Sequence, residues 1–578
     1  MVSAVKSHGR SNRRTLPTRF LTPCGSVARA DRPRHDDCDG SVVMASSTDP
    51  ASDEDCSADC PGEHPHEPSN GCTSEHRIAC QPTDRCPHET SSTGTDASPI
   101  SLPSAPLRWT AEPPERVSFA VIGGGFSGLM TAIHALRGAP HATAVVFERL
   151  PRARPGVAYG GADEAHLLNV RADRMGLTTS DVGGFAAWLD RRAPGRHEPS
   201  DFVRRRHFGD FLNERLGAMI ASLRPRITLV RGDVVAVRRD ADDFAMRLAG
   251  GETTRAAAVV LAVGLPAPSA PWSGDVGLVV DPWSPTAFDD LDASAPVTVV
   301  GTGLTALDVL VSLARRGHRG RVTCVSRNGR FPLPHADPHL SSAGAAAPPT
   351  VTPQRAELMR GPLAALRAVR VAAIATLACG RPWQEVIDAI RPHTTAVWSA
   401  WSDRDRERFL GRIRPLWEIH RHRAPRSVLA VVDDLRASDR LEVLRGTLLR
   451  VDASAGRRAV LLRCAGNETL RRSSDRVFNC IGPALRISEN PDSLMRSLFD
   501  QGMVSSDAAG LGLRADADGC VIDARGAVRR DLFVLGALRR GDLWESTAVP
   551  ELRVQAEATG AALARLLTDA THPMGAHA

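Results

Sequence analysis

Residues 117–128 read Val117-Ser-Phe-Ala-Val-Ile-Gly-Gly-Gly-Phe-Ser-Gly128, an apolar run that ends in a glycine fingerprint. The apolar run predicts a buried β-strand, and the residues after the glycines follow a helical pattern through Leu136. A second apolar run, Ala144-Val-Val-Phe-Glu148, predicts the neighbouring strand of a parallel sheet. Strand, glycine turn, helix and strand in this order predict a Rossmann-type βαβ unit.

The three glycines and one acid of this unit predict a dinucleotide site. Gly123 allows the tight turn, Gly125 leaves room for a pyrophosphate beside the backbone N–H groups, and Gly128 lets helix and strand pack closely. Glu148 ends the second strand about 20 residues after Gly128, where its carboxylate can accept both ribose hydroxyls. A fingerprint alone is weak evidence, but all these features in register favour a binding site over a purely structural turn.

A second fingerprint follows the run Val297-Thr-Val-Val300, with Gly301-Thr-Gly-Leu-Thr-Ala306 leading into a helix and then a strand that ends at Ser326. No acid ends that strand; Arg327 stands there instead. A guanidinium can pair with a 2′-phosphate, which a carboxylate would repel, so this unit is predicted to bind NADP, with NADH left possible. A surface arginine at a strand end is the alternative interpretation.

Two dinucleotide sites in one chain are typical of flavoproteins, in which a nicotinamide delivers hydride to a flavin. The C-terminal part is consistent with a flavoprotein, because the run Asp531-Leu-Phe-Val-Leu-Gly536 predicts a strand that is followed directly by a glycine. Pro550 then opens an amphipathic helix that runs to Leu567, and the N-terminus of such a helix suits electron-rich groups of a flavin. Taken alone, this segment is also an ordinary β-α unit.

The chain resembles bacterial FAD/NAD(P)-binding proteins whose flavin domain is similar to that of FAD-dependent urate hydroxylase. The stretches that carry the resemblance run from about residue 117 to about residue 567 and are VIGGGFSGLMTAIHAL, GVAYGGADEAHLLNVRADRM, VVLAVGLP, VTVVGTGLTALDVLVSLARRGHRG, SRNGRFPLPH, RPLWEIHRHRAP, VFNCIGP and FVLGALRRGDLWESTAVPELRVQA. The resemblance implies FAD in the first site, NAD(P)H in the second and a redox reaction at the flavin.

These arguments predict three sets of site residues. The expected FAD contacts are Gly123, Gly125, Phe126, Ser127, Gly128, Glu148, Gly264 and Gly536. The expected NAD(P) contacts are Gly301, Gly303, Thr305, Ala306 and Arg327. The resemblance further implies that Tyr159, Asn169 and Met175 lie along the isoalloxazine and that His335, His420 and His422 are candidates for substrate contact, with core packing or a structural role as the alternative for each.

The absence of characteristic sequence motifs argues against several classes of flavoenzyme. No closely spaced cysteine pair follows the first unit, as a dithiol reductase requires. The stretch VVDPWSPTAFDD lacks the Baeyer–Villiger monooxygenase pattern, and the single-component aromatic hydroxylases carry only one fingerprint. The prediction is therefore a hydroxylase that uses molecular oxygen and a small-molecule substrate. An oxygen-independent reductase or dehydrogenase is the alternative, and a non-catalytic dinucleotide sensor is a weaker one.

Composition excludes other classes of partner. The 578 residues carry a formal charge of +6, but Lys6 is the only lysine among 72 basic residues, and no basic cluster with interleaved aromatics suggests nucleic acid. No run of about 18 apolar residues predicts a membrane span, and no apolar export segment follows Arg13 and Arg14, so we expect a cytoplasmic protein. The sequence contains no signal for an oligomeric state.

The expected architecture is α/β, with two Rossmann-like domains. Residues 1–112 are predicted to be a disordered low-complexity tail, whose cysteines and histidines lack the usual zinc spacing, and Met44 is a possible true start. A discontinuous FAD domain is predicted over 115–292 and 440–570. An NAD(P)-binding and helical domain is predicted as an insertion over 293–439.

Overall fold

Two mixed β-sheets, each built around a core of parallel strands, form the framework of this computed structural model. The residues that it describes are 107–150, 155–266, 268, 270–337, 351–484, 486–487 and 492–569. The predicted disorder up to residue 106, the cysteine- and histidine-rich stretch and Met44 all lie outside the described residues. The strands, in chain order, are β1 (Arg116–Ile122), β2 (Ala144–Glu148), β3 (Ile227–Arg231), β4 (Val234–Asp240), β5 (Asp243–Leu248), β6 (Thr253–Leu261), β7 (Ser273–Gly274), β8 (Val279–Val280), β9 (Val297–Val300), β10 (Val322–Ser326), β11 (Leu441–Ser454), β12 (Arg457–Cys464), β13 (Thr469–Ser474), β14 (Arg476–Asn479), β15 (Cys520–Ile522) and β16 (Val528–Val534).

The described helices alternate with these strands in the βαβ manner and gather in one longer run before β11. They are α1 (Phe126–Gly138), α2 (Val157–Gly160), α3 (Gly184–Arg192), α4 (Arg205–Ala221), α5 (Leu304–Arg315), α6 (Arg355–Met359), α7 (Pro362–Ala378), α8 (Gln384–Ile390), α9 (Thr394–Ala400), α10 (Asp403–Arg408), α11 (Arg414–Arg421), α12 (Arg426–Ala437), α13 (Ser493–Asp500), α14 (Arg540–Leu543) and α15 (Val549–Asp569). None of them is long and apolar enough to cross a bilayer.

The first sheet has the strand order β15-β16-β6-β1-β2-β3, with β5 also pairing β6, and β4 pairing β5. Strand β1 lies at its centre, parallel to both β2 and β6. Phe119, Ala120 and Val121 are fully buried because helices cover one face of the sheet and the β4–β5 hairpin, with α13, covers the other. Burial on both faces explains why this strand is a continuous apolar run rather than an alternating one.

The second sheet has the order β13-β12-β11-β10-β9-β14-β8, with β7 pairing β11. The chain enters it after β6 and returns to the first sheet at β15. The fold class is thereby confirmed: α/β with two Rossmann-like parallel sheets, the first of them discontinuous in sequence.

The second sheet extends beyond the predicted insertion, 293–439, at both its start and its end. The short strands β7 and β8, before residue 293, already pair within the second sheet. Strands β11–β14 also belong to it, because β11 continues in parallel from β10 and β14 pairs β9. The return to the first sheet therefore comes after Asn479 rather than at 440. Pairing with β10 and β9 assigns these strands to the second sheet. The apolar pattern of a sequence predicts a strand but does not reveal which sheet the strand joins.

The last six residues of the predicted tail, 107–112, do not fit that prediction. Residues 107–112 are ordered against the first sheet: the N–H of Thr110 donates to the carbonyl of Leu229 at 2.9 Å, and the N–H of Arg231 donates to the carbonyl of Thr110 at 2.8 Å. Thr110 thus adds one bridge beside β3, and Leu107 and Trp109 pack against the core. Residues 107–112 are too few to show an apolar periodicity, so the sequence analysis placed them in the tail on composition alone.

Charged side chains join the two sheets beside the second fingerprint. Arg205, at the start of α4, pairs with Asp308 of α5 at 2.7 Å, and each side chain is only about a tenth exposed (11% and 12%). His166 Nε2 lies 2.9 Å from the hydroxyl of Ser312, and Asp163 pairs with Arg315 at 2.9 Å. All described residues belong to one compact unit, Thr95–Ala578. Helix α5 is therefore held in a defined place relative to the first sheet.

Candidate functional site

A cleft of about 740 Å³ opens where the carboxyl ends of the strands meet. Ile122 ends β1, Glu148 ends β2, and both line this cleft together with Asn479, which ends β14 of the second sheet. Ligands of open parallel sheets bind at this edge. The volume falls within the range of about 300–1,000 Å³ that is usual for ligand clefts. Both sheets therefore contribute to one site.

The first fingerprint forms the floor of the cleft. Gly123 has φ +118°, and a Cβ there would overlap the carbonyl oxygen of Ala262. A Cβ at Gly128 would overlap the carbonyl oxygen of Gly123, so these two glycines are required for the turn itself. Gly125 differs, because its φ is −76° and the nearest heavy atom to an added Cβ is the Cα of Gly156, at 3.7 Å. Nothing among the described residues requires glycine at position 125, and the absence of a side chain leaves the space that a pyrophosphate needs beside the turn.

Glu148 lies at one end of the cleft and is oriented by the backbone. Its carboxylate accepts hydrogen bonds from the N–H of Gly124 at 3.1 Å and of Leu150 at 2.9 Å. Each carboxylate oxygen has a second lone pair free for a hydroxyl. This arrangement suits a ribose at the end of β2.

Two further residues lie at the Glu148 end of the cleft. The sequence analysis did not select either of them. Trp109 and Arg231 line the cleft, and the Arg231 guanidinium lies 4.2 Å from the centre of the Trp109 ring. A flat aromatic surface held by a cation is suited to stacking on a purine. Trp109 was missed because it lies within the predicted tail, where no pattern marked it.

We expect Trp109→Ala to weaken FAD binding about tenfold, because it removes the stacking surface at the adenine end while leaving the fingerprint intact. Equilibrium dialysis of the apoprotein against FAD measures the change. Trp383→Ala is the matched control, because Trp383 does not line the cleft and lies in the helical region, the run of helices α6–α12 between β10 and β11. Equal FAD affinity in the two variants would contradict the role of Trp109.

The opposite end of the cleft is formed by glycine turns and by the start of α15. Gly264 (φ +79°) and Gly536 (φ +74°) both line it, and nothing lies within 4 Å of an added Cβ at Gly264. The N–H of Gly536 donates to Oε1 of Gln555 at 2.8 Å. Thr547 and Val549, at the N-terminus of α15, face the same space. A planar ligand can therefore approach the backbone closely here.

The second fingerprint reaches the cleft through Thr305. Gly301 has φ +126°, and a Cβ there would overlap the carbonyl oxygen of Cys480. Gly303 caps α5 with open space around it, and Ala306 is buried inside the helix. Arg327 is exposed after β10, and among the described residues no carboxylate pairs with it. Its guanidinium is therefore available to an anion.

The residues predicted to lie along the isoalloxazine are separated by the structure. Tyr159 lines the cleft, its ring packs edge-on against Phe208 at 4.8 Å between centroids, and burial raises its pKa to about 12. Met175 is not part of the cleft lining: only 2% of it is exposed, and it packs in the core around α1 and α3, as the alternative interpretation expects. Asn169 is not part of the lining either, and its backbone carbonyl accepts a hydrogen bond from His335.

The three candidate histidines do not line the cleft. His335 Nε2 lies 3.1 Å from the carbonyl oxygen of Asn169, and its ring stacks against Phe202 at 4.4 Å. His420 Nδ1 lies 2.8 Å from the carbonyl oxygen of Leu416. Burial lowers the pKa of His335 to about 3 and that of His422 to about 4, with nearby arginines adding to both shifts. His335 contacts Asn169 and Phe202, whereas His420 contacts Leu416 and Trp383.

The low pKa of His335 predicts a loss of stability in acid. The unfolded chain binds a proton near the usual pKa of 6.5, whereas native His335 does so only near pH 3. Stability is therefore full above pH 6.5 and decreases as the pH falls from 6.5 towards 3. We expect the decrease in Tm over this range to be shallower in His335→Gln, although His207 and His422 titrate in the same direction. An unchanged slope would show that His335 is not the group responsible.

Several further cleft residues were not predicted. Asn213, Asp281, Trp283, Asn479 and Thr547 all line the cleft. Asn479 and Thr547 lie within stretches that carried the family resemblance, which was the only signal available for them. Asp281 and Trp283 lie in a loop without regular structure, whose place beside the cleft depends on the pairing of β8 with β14.

Residues 120–266 match a family model described as FAD-NAD(P)-binding. No protein with a curated description matches the sequence. Among solved structures, the chain is similar to an ornithine N-hydroxylase of Kutzneria sp. 744, solved with reduced FAD, NADP+ and L-ornithine, with a TM-score of 0.56 and 16% identity over 78% of this chain and 99% of that chain.

Two other solved structures have the same fold. One is the cadaverine monooxygenase of desferrioxamine biosynthesis from Erwinia amylovora, with a TM-score of 0.52 and 14% identity over 79% of this chain and 95% of that chain. The other is L-lysine 6-monooxygenase from Pseudomonas syringae, with a TM-score of 0.52 and 16% identity over 78% of this chain and 99% of that chain. At these identities the similarity concerns the fold.

Proposed function

We propose that this protein is an FAD-dependent, NADPH-using oxidoreductase that hydroxylates a small molecule with molecular oxygen. The observation that carries the proposal is the single cleft that both fingerprint units line, with Gly125 and Glu148 on one side and Thr305 and Asn479 on the other. Two dinucleotides whose reactive ends meet in one space have the arrangement that hydride transfer requires. The similarity of fold to three flavin-dependent N-hydroxylating or related monooxygenases supports the same class of reaction.

The residues present fit FAD. Gly125 leaves the space for a pyrophosphate, Glu148 offers lone pairs to the ribose, Trp109 offers a surface for the adenine, and Gly264 and Gly536 allow a planar ring to approach the backbone. When bound, the flavin would supply the hydride acceptor and the site of oxygen activation. The chain supplies binding and orientation, so no catalytic triad or metal site is needed.

Contacts between α9 and the segment around α14 lie beside the cleft residues Gly536 and Thr547. The helical region packs on the segment between Gly536 and Val549: Trp398 Nε1 donates to the carbonyl of Gly541 at 2.7 Å, and its ring stacks on Trp544 at 4.8 Å between centroids. Tyr159 lines the cleft, and its hydroxyl, which is protonated at neutral pH as in other tyrosines, can donate a hydrogen bond to a ligand there. A pre-oriented site favours transfer of oxygen over its loss as peroxide.

A charge-selective role of Arg327 is expected in NADPH binding. We expect Arg327→Ala to raise the KM for NADPH about tenfold or more and to leave the KM for NADH nearly unchanged, because only the 2′-phosphate pairs with the guanidinium. Steady-state NAD(P)H oxidation measures both values. Equal effects on the two nucleotides would refute the role.

An oxygen-independent reductase is the second candidate. Among the described residues, Cys324, Cys480 and Cys520 are buried and burial raises the pKa of each thiol, while none of the described cysteines lines the cleft. These thiols are unsuited to a relay from the flavin. A reductase of this kind would instead pass electrons to a dye or a quinone.

Simultaneous measurement of NADPH oxidation, oxygen uptake and peroxide release distinguishes these functions. A hydroxylase consumes oxygen and, with its substrate, forms a hydroxylated product in place of peroxide. Reduction of a dye or quinone without such coupling across candidate substrates would favour the reductase. FAD binding without any NADPH oxidation would favour a dinucleotide sensor. The closer relationship to urate hydroxylase is tested by including urate among the substrates.

A further inference from the structure

We propose that helix α7 (Pro362–Ala378) docks this protein onto the surface of a bilayer that contains anionic lipids. The helix lies in the plane of the headgroups with its outer face towards the lipid, an arrangement that needs no membrane-spanning length. None of the residues of α7 lines the cleft. The inference is therefore independent of the proposed function, and refuting either one leaves the other standing.

The outer face of α7 is apolar, although the helix already buries an inner face in the helical region. Ala372, on the inner face, is only 2% exposed and packs in a core cluster. Val371 and Ile374, by contrast, are 67% and 51% exposed, and Leu363 and Leu377 are 56% and 46% exposed. A surface helix normally turns a polar face to water. A second apolar face therefore indicates contact with something other than water.

The exposed residues form one continuous stripe along α7. Most of them follow one another at steps of three or four residues, which places them on one side of a helix. In chain order they are Leu363, Arg367, Arg370, Val371, Ile374 and Leu377. At a rise of 1.5 Å per residue the stripe is about 20 Å long, so it can contact a flat surface over several helical turns.

The charge around this stripe is positive. Arg360, Arg367 and Arg370 are exposed, and none of them pairs with a carboxylate among the described residues. No Asp or Glu occurs from Leu358 to Gln384, although the whole chain carries 66 acidic residues. Arginines are attracted to the negative surface of a membrane that contains anionic lipids. Their long side chains reach the phosphates while the neighbouring apolar side chains enter the boundary with the acyl chains.

Other occupants of this face fit less well. A two-fold contact between two copies of α7 would bring Arg370, near the midpoint of the helix, close to its own counterpart, and like charges at a contact are unfavourable. Nucleic acid is disfavoured because α7 contains no aromatic side chain that could stack on a base. A lipid surface supplies both the phosphate charge and the adjoining apolar layer that this stripe requires.

The test measures cosedimentation of the full-length, FAD-loaded protein with lipid vesicles. One set of vesicles contains phosphatidylcholine alone, and the other contains phosphatidylcholine mixed with anionic phosphatidylglycerol. We expect saturable binding to the mixed vesicles and binding that is at least about tenfold weaker to phosphatidylcholine alone. Added salt should weaken binding to the mixed vesicles, because it screens the attraction between the arginines and the headgroups.

Two double variants connect the binding to α7. Arg367→Glu/Arg370→Glu should lower the affinity for mixed vesicles about thirtyfold or more, because each arginine near an anionic surface contributes about fivefold. Val371→Ser/Ile374→Ser should lower it about tenfold or more, because it removes the apolar groups that enter the membrane. All four side chains are exposed, so we expect FAD content and Tm to stay those of the wild type.

Each variant has a matched control elsewhere on the surface. Arg463→Glu/Arg471→Glu makes the same change of charge at exposed arginines of β12 and β13. Val276→Ser/Val554→Ser removes two apolar side chains that are 55% and 53% exposed, outside the helical region. We expect both controls to bind mixed vesicles as the wild type does.

Several results would overturn the inference. They are no binding to the mixed vesicles, equal binding to the two kinds of vesicle, unchanged affinity in either α7 variant, or an equal loss in the matched control. Unchanged affinity in the α7 variants would place the lipid contact elsewhere in the chain. Light scattering without vesicles tests the remaining occupant: a dimer that Val371→Ser/Ile374→Ser separates would assign this face to a second copy instead.

Discussion

A Gly125→Leu variant is expected to fold and to lose its FAD. The backbone at Gly125 has an ordinary negative φ, and an added Cβ meets only the Cα of Gly156 at 3.7 Å, so a Cβ fits among the described residues. We expect the rest of a leucine side chain to extend into the cleft that Gly125 lines. That side chain would occupy the space left for the pyrophosphate beside the N–H groups at the start of α1. We expect the Kd of FAD to rise about a hundredfold or more, equivalent to about 2.8 kcal/mol.

FAD content after purification, FAD titration of the apoprotein and far-ultraviolet circular dichroism measure this result. Gly123→Ala is a useful contrast, because its Cβ would overlap the carbonyl oxygen of Ala262 and should impair folding itself. A yellow Gly125→Leu protein with wild-type FAD affinity would show that the pyrophosphate does not lie on this turn.

A Gly303→Leu variant is expected to keep FAD and to lose its response to NADPH. Gly303 holds the equivalent position of the second fingerprint, with φ −80° and nothing within 4 Å of an added Cβ. The substitution should therefore leave the fold intact while blocking the second pyrophosphate. We expect the KM for NADPH to rise about a hundredfold, or about 2.8 kcal/mol.

Anaerobic reduction of the bound flavin by NADPH measures this effect, and chemical reduction by dithionite checks that the flavin itself remains competent. Gly125→Leu and Gly303→Leu control for each other, because the same substitution is made at matching positions of two similar turns. If Gly303→Leu also lost FAD, the second fingerprint would not be an independent nucleotide site.

The sheets and their glycine turns were predictable from sequence because the information is local. A buried strand such as Val117–Ile122 is a continuous apolar run, and the positive φ of Gly123 and Gly301 admits few other residues. The predicted helix after Gly125 and the carboxylate at Glu148 follow from the same short-range geometry. For this reason the α/β class and the two Rossmann-like units could be predicted without any alignment.

The limits of each unit and the far end of the site were decided by contacts between distant residues. Parallel pairing with β10 assigns β11 to the second sheet, and a single bridge to β3 brings Trp109 to the cleft. Met175 shows the converse case, because the family resemblance suggested a place along the isoalloxazine whereas packing buries it in the core. A sequence pattern records which face of an element is apolar, and it does not record which neighbour covers that face.

The ion pair between Arg421 and Glu545 illustrates the same division. Arg421 and Glu545 lie 124 residues apart in sequence and pair only because the helical region folds back over the start of α15. Individually, each is an ordinary charged residue in an arginine-rich chain. Local sequence was enough for the turns that hold a dinucleotide, since they depend on a few consecutive φ and ψ angles. Only the tertiary structure could bring Arg421 and Glu545 together, since the free energy that does so comes from the packing of separate elements.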